Sequence, residues 1–508
     1  MKKTILDYFE HTAAQYPDQT AVADESGSLT YRQLRSHARA AAGCIAACGF
    51  HGKPIALLLK RDTLLPAAML SVLYSGNFYV VLDYESPRQR LEKILQTLRP
   101  AMLVYAPDCQ DMALSFADSV PTLDFCHALA SGNPEDPRLE QLRRSATAAD
   151  PAYALFTSGS TGVPKGALLT HQNVISYIGW FTECFGIDHT TVFGSQTSLY
   201  FSMSVSDFYG AMFTGGAYHM IPKTYFAFPA KLVSFLDQRR INTIYWVPSA
   251  LGVAAKFDLF KYCLPKTLKT VLFAGEVMPV KYLNYWRRYL PELLYANLFG
   301  PTETTDICAY YVVNREFEES QSLPIGAACG NCRLMVIGDD GAAVADGQPG
   351  ELYVGGPFVA RGYYRSPEKT AEVFVQNPLH SDYPDPVYRT GDLVRCNSFG
   401  ELEYVGRKDF QIKHLGYRIE PSEVETALNT VGGVELTCCV HDAPSDRLLL
   451  GYESRSDLTE ALDAAANAVL PHYMRPSVFF RFDVFPKNAN GKIDRKAILS
   501  EILENHGG

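Results

Sequence analysis

The chain has 508 residues, of which 47% are apolar and 20% charged, an ordinary globular composition with length enough for two to four domains. Its 37 glycines and 30 prolines follow no period, which excludes a collagen-like chain, and the apolar content excludes general disorder. A formal charge of −9, from 46 basic and 55 acidic side chains, disfavours a whole-surface nucleic-acid binder.

In chain order, Lys2 and Lys3 precede Asp7 and Glu10 with no apolar stretch between them, so no signal peptide is expected. Apolar runs such as 40–50 and 55–59 are far shorter than the roughly 20 residues a membrane helix needs. A cytoplasmic protein is the expectation, and its 12 cysteines then read as buried thiols. Strand-like runs at 21–24, 53–59, 80–83, 102–105, 153–156, 241–247 and 270–274 alternate with helical spacing, clearest at 31–48 and 64–75. That rhythm predicts α/β layers with mostly parallel sheets. From 326 to 405 short strands separated by Gly and Asp turns predict a β-rich subdomain or distorted barrel. A compact α+β tail follows, with helices over 420–428 and 458–470 and strands over 434–441 and 447–452. There are no internal repeats and no low-complexity tract. Cys329 and Cys332 have CxxC spacing, but neither a second pair nor a helix N-terminus accompanies them, and Cys438-Cys439 reads as part of a buried strand.

The segment with the most chemistry is Thr157-Ser158-Gly159-Ser160-Thr161-Gly162-Val163-Pro164-Lys165-Gly166, directly after a strand. Glycines let backbone N–H groups turn toward a polyanion, hydroxyls add donors, and Lys165 adds positive charge. A flexible linker would not normally place these residues after an apolar strand. Nor is it a Walker A loop, because Pro164 precedes Lys165 and Gly166 follows it.

This segment resembles the phosphate loop of the adenylate-forming superfamily, which includes acyl- and aryl-CoA synthetases, peptide-synthetase adenylation domains and luciferases. Other segments resemble that family in the same order. They are Leu29-Thr30-Tyr31-Arg32-Gln33-Leu34, residues 76–87, Phe299-Gly300-Pro301-Thr302-Glu303, residues 350–363, Tyr388-Arg389-Thr390-Gly391-Asp392, residues 406–420, and Asn490-Gly491-Lys492-Ile493-Asp494-Arg495. The resemblance implies an α/β protein. Its large N-terminal domain, residues 1–406, has two α/β sheet subdomains and a β-rich one. A hinge at 407–411 joins it to a small mobile α+β domain at 412–508.

It also implies site roles. Thr157, Ser158, Gly159, Ser160, Thr161, Gly162 and Lys165 match the loop that holds the ATP β- and γ-phosphates. Thr302 matches the α-phosphate contact, Glu303 the Mg²⁺ ligand and Phe299 the ring that stacks on adenine. Asp392 matches the carboxylate that takes the ribose hydroxyls, and Arg407 a further ribose or phosphate contact. Lys492 matches the lysine bridging carboxylate and α-phosphate, and Asp409 the hinge. These types suit the reaction. A carboxylate attacks the α-phosphorus, so two anions must meet between fixed cations.

Phe273-Ala274-Gly275-Glu276 and Gly416-Tyr417-Arg418-Ile419-Glu420 are most similar to peptide-synthetase adenylation domains and D-alanine–carrier-protein ligases. The sequence has no Gly-Gly-x-Ser phosphopantetheine motif, so the expected acceptor is a separate carrier protein, with CoA as the alternative. A catalytically silent nucleotide-binding relative is the rival from another class. The pocket departs from the family pattern. Amino-acid-activating relatives carry Phe-Asp-x-Ser-Val-x-(Glu/Asp), whose first Asp binds the α-ammonium. Here Phe201 is followed by Ser202, which cannot supply that charge, and Asp207 matches the second, structural acid. The remaining matched pocket positions are Met203, Ser206, Tyr245, Leu272, Ala274, Leu298, Asp306 and Ile307. A substrate without an α-ammonium is expected, and Asp306 is either a substrate contact or a structural acid.

Overall fold

The computed structural model describes residues 2–157, 164–408, 411–487 and 493–506. It divides into two compact units. The first comprises Met1–Tyr84, Leu98–Leu155 and Gly166–Lys408; the second comprises Glu85–Thr97, Phe156–Lys165 and Asp409–Gly508. Among the described residues no helix is long and apolar enough to cross a membrane.

A nine-stranded sheet dominates the first unit. Its centre is parallel and runs in the order Leu294–Phe299, Thr270–Phe273, Thr243–Trp246, Val192–Ser195, Ala217–Met220 and Thr20–Ala23. Antiparallel strands Ala309–Val312 and Ser28–Thr30 flank this centre. A six-stranded sheet runs in the order Thr122–Asp124, Met102–Tyr105, Pro54–Leu58, Phe78–Val81, Pro151–Thr157 and Lys165–Thr170. Pro54–Leu58 and Phe78–Val81 are buried at every position. Helices on both faces leave a parallel strand no wet side, and their unbroken apolar sequence reflects that. The β-rich region is a five-stranded antiparallel sheet built from Arg333–Ile337, Gly350–Gly355, Phe374–Gln376, Pro386–Cys396 and Leu402–Arg407.

Local chemistry starts and stops the helices. Thr4, Thr30 and Thr170 form capping boxes with Asp7, Gln33 and Asn173, starting Ile5–Gln15, Tyr31–Ala47 and His171–Phe185. Gly186, at φ 63°, ends the last of these in the left-handed region that glycine tolerates. In the second unit, Leu436–Asp442, Arg447–Glu453 and Val478–Phe482 form a three-stranded sheet, with helices Pro421–Leu428 and Thr459–Val469 packed in the same core. Cys438 and Cys439 are both buried in the first of these strands. Cys329 and Cys332 are free thiols, and burial pushes Cys332 up to about 12 and Cys329 well above its ordinary value, so neither is a ready nucleophile.

Candidate active site

Strand Leu294–Phe299 delivers the chain into Gly300-Pro301 and the short 3₁₀ turn Thr302–Thr304. Gly300 has a steric reason to be glycine. A Cβ there would lie 2.4 Å from the Asp306 carbonyl oxygen and 2.6 Å from Ile307 Cα, so the chain doubles back on itself only without one. Thr305 sits at φ 68°, an outlier for a β-branched residue, with its hydroxyl donating to the Phe358 carbonyl at 2.8 Å. The tight reversal buries Glu303 completely and leaves Thr302 half-buried. The Tyr363 hydroxyl donates to Glu303 Oε1 at 2.5 Å, and the Ala360 N–H donates to the Glu303 carbonyl at 2.7 Å.

Tyr363 also ties this carboxylate to the exit of the glycine-rich segment. The Leu168 N–H donates to the Gly362 carbonyl at 2.9 Å, the Tyr364 N–H donates to the Gly166 carbonyl at 2.8 Å, and Ala167 bridges Tyr363. Segments far apart in sequence thus meet on one backbone ladder. Tyr363 closes the 350–363 segment, yet no local signal in the sequence gives it a role. Of the glycine-rich residues, Ser158, Gly159, Ser160, Thr161 and Gly162 lie outside the described residues, as do Asp409 and Lys492. Thr157 ends its strand with a buried hydroxyl that no hydrogen bond reaches among the described residues, and Lys165 opens the next strand. An orphaned buried donor at the mouth of a glycine-rich loop suits an anionic oxygen.

Asp392 and Arg407 are register partners on antiparallel strands Pro386–Cys396 and Leu402–Arg407. Arg407 donates to Asp392 Oδ1 at 2.7 Å and to the Thr390 carbonyl at 3.1 Å, and both side chains are almost fully buried. Neutralisation by the guanidinium lets a carboxylate stay buried, and Asp392 Oδ2 remains to accept from hydroxyls. Phe299 is buried, its ring centroid 6.0 Å from that of Tyr404.

The pocket residues collect on one face of the nine-stranded sheet. Tyr245, Leu272 and Ala296 are paired in register on adjacent parallel strands. Ala274 and Leu298 lie two residues further along, so strand alternation turns them to the same side. With Met203 and Ile307 they belong to one core cluster, while the alternating Ile244, Trp246, Val271 and Phe273 belong to another. Helix Met203–Thr214 begins immediately after Ser202, with Phe201 and Ser202 half-buried. Asp306 is fully buried and accepts from the Ser206 hydroxyl at 2.6 Å, from Tyr177 at 3.2 Å and from Tyr245 at 3.2 Å. These three donors all reach Oδ2, and none of them reaches Oδ1. Burial pushes the Asp306 carboxyl up to about 6, against opposing hydrogen bonds from Ser206, Tyr177, Tyr245 and Ser202. Asp207 is also buried, neither of its oxygens has a hydrogen-bond partner among the described residues, and burial drives its carboxyl well above the usual range. Tyr177, on helix His171–Phe185, joins the site without any sequence pattern that singles it out.

The chain belongs to the AMP-binding enzyme family, whose model matches residues 9–364. It is 33% identical to an L-proline–[L-prolyl-carrier protein] ligase of Pseudomonas fluorescens, covering 98% of this chain and 99% of that protein. It is 30% identical to a D-alanine–D-alanyl carrier protein ligase of Bacillus mycoides, again over 98% and 99%. Against a mycosubtilin synthase polypeptide of Bacillus subtilis the identity is 32% over 98% of this chain, which spans only 19% of that protein. Among solved structures, an artificially fused adenylation–PCP di-domain from Klebsiella oxytoca superposes with a TM-score of 0.81 at 21% identity, covering 94% of each chain, and shows the shared fold.

Proposed function

We propose that this protein uses ATP and Mg²⁺ to turn a carboxylic acid into its acyl-AMP. It then passes the acyl group to the phosphopantetheine thiol of a separate carrier protein, in cytoplasmic biosynthesis of the nonribosomal-peptide type. In the first step a carboxylate oxygen attacks the α-phosphorus and pyrophosphate leaves. In the second the thiol attacks the acyl carbon, AMP leaves, and the thiol proton goes to solvent. The observation that carries the reading is the buried Glu303 carboxylate, oriented by Tyr363 beside the exit of the glycine-rich segment. One hard carboxylate completed by phosphate oxygens is how Mg²⁺ is commonly held. Bound there, Mg²⁺ would neutralise charge on the phosphates. Thr302, Asp392, Arg407 and Phe299 are assigned to nucleotide contacts from their match to the family's motifs, with the buried Asp392–Arg407 pair in support. The carrier acceptor is supported by the carrier protein ligases that align along nearly their full length.

Two assays test the reading. Pyrophosphate exchange into ATP across a broad panel of carboxylic acids should find at least one active acid. With that acid, a thioester should form on a phosphopantetheinylated carrier faster than on CoA. No exchange across the panel would favour a silent nucleotide binder, and faster transfer to CoA would reassign the acceptor.

Tyr363→Phe removes only the hydroxyl that orients Glu303. A hydrogen bond to a charged group contributes about 1.5–3 kcal/mol, so adenylation should slow by roughly 10–100-fold and require more Mg²⁺ for half-maximal rate. An unchanged Mg²⁺ requirement would remove Tyr363 from this role. Residues 407–411 are proposed as a hinge between domains 1–406 and 412–508. Proline fixes φ, so Asp409→Pro should leave one half-reaction far more active than the other. A proportional fall in exchange and thioester formation would count against the hinge.

A further inference from the structure

Two imidazoles and a carboxylate converge at the tips of two β-hairpins in the second unit. His414 ends strand Ile412–His414, and the two-residue turn Leu415-Gly416 leads to Tyr417–Ile419. Leu415 at φ 51° and Gly416 at φ 79° are both left-handed, the backbone that a tight hairpin of this twist prefers. His441 lies near the end of Leu436–Asp442, and Asp446, at φ 49°, stands just before Arg447–Glu453. His414 Nδ1 is 2.9 Å and His441 Nε2 is 2.8 Å from the same atom, Asp446 Oδ1. The donor atoms all lie within 4.8 Å of one another.

We propose that His414, His441 and Asp446 form a zinc site that clamps these two hairpin tips together. Two imidazole nitrogens and one carboxylate oxygen are too nitrogen-rich for Mg²⁺ or Ca²⁺ and match a three-ligand zinc set. The Asp446 side chain is 34% exposed, so a water can complete the tetrahedron. Arg447 does not compete for the carboxylate, since it is turned to the Ser445 hydroxyl at 2.8 Å and to Asp442 at 3.7 Å. This inference does not rest on the proposed acyl-transfer reading.

The test titrates the full-length protein, stripped by dialysis against a chelator, with zinc sulfate in a calorimeter, and examines the loaded protein by X-ray absorption. One equivalent per chain is expected, with imidazole nitrogens at about 2.0–2.1 Å and no sulfur at about 2.3 Å. The sulfur criterion matters because the chain has 12 cysteines. Asp446→Asn and His441→Gln keep hydrogen-bonding capacity at each position, so they should fold with unchanged circular dichroism yet lose the equivalent. No uptake by the unmodified protein, a sulfur-ligated zinc, or full uptake by both variants would overturn the site. If the variants fail to fold, the absorption spectrum of the unmodified protein decides alone.

Discussion

Lys492→Ala is expected to slow acyl-adenylate formation by roughly 10²–10³, the scale for removing one preorganised polar contact from a developing charge. The same variant should convert supplied acyl-adenylate to thioester at nearly the normal rate. The asymmetry follows from the proposed role: the ammonium bridges two anions only while the carboxylate approaches the α-phosphate. Once the anhydride exists, the free carboxylate is gone and no second anion remains for the lysine to bridge. Single-turnover measurement of each half-reaction separates the outcomes. Equal loss in both steps would show a general structural or binding role for Lys492.

Asp306→Asn carries the second large effect. We propose that the acid missing at position 202 is functionally displaced to Asp306, whose carboxyl is influenced by Ser202 and whose Oδ1 takes none of the hydrogen bonds from Ser206, Tyr177 and Tyr245. An acid bearing its amine beyond the α-carbon would pair with that oxygen. For such a substrate the variant should lose about 2–5 kcal/mol in kcat/KM, the scale for truncating one partner of a buried charge pair, while an uncharged acid is spared. The carboxyl titrates near 6, so affinity for the amine should fall as pH drops through about 6, and this limb should vanish in the Asp306→Asn variant. Stability gives a second readout. A folded-state pKa raised from 3.8 to about 6 contributes stability that is full below 3.8 and lost as pH rises through about 6. Asn, which resembles the protonated acid, should therefore be at least as stable as Asp at neutral pH. A uniform loss of rate across all acids, with a lowered melting temperature, would make Asp306 purely structural. Efficient turnover of an ordinary α-amino acid, with its deaminated analogue inactive, would overturn the pocket reading.

The sequence by itself determined the chemistry and the layers. Strand 102–105 is legible because its apolar run is the signature of a strand covered on both faces, and the structure has Met102–Tyr105 there. Helix 31–48 is legible from its helical spacing, and the helix runs Tyr31–Ala47, started by a local Thr30–Gln33 capping box. Such signals act over a few residues, so one sequence carries them intact. The tertiary structure alone decided which of these elements meet. Tyr363 reaches Glu303 across 60 residues of chain, and Tyr177 reaches Asp306 across 129. Periodicity says that a side chain faces inward; it does not say which partner waits there. Asp392 meets Arg407 because the register between their strands shifts at Leu393 and Val394, an irregularity set by the whole sheet. The zinc-type cluster likewise needs two hairpin tips brought together, since His414 and Asp446 are 32 residues apart and neither hairpin holds all three ligands.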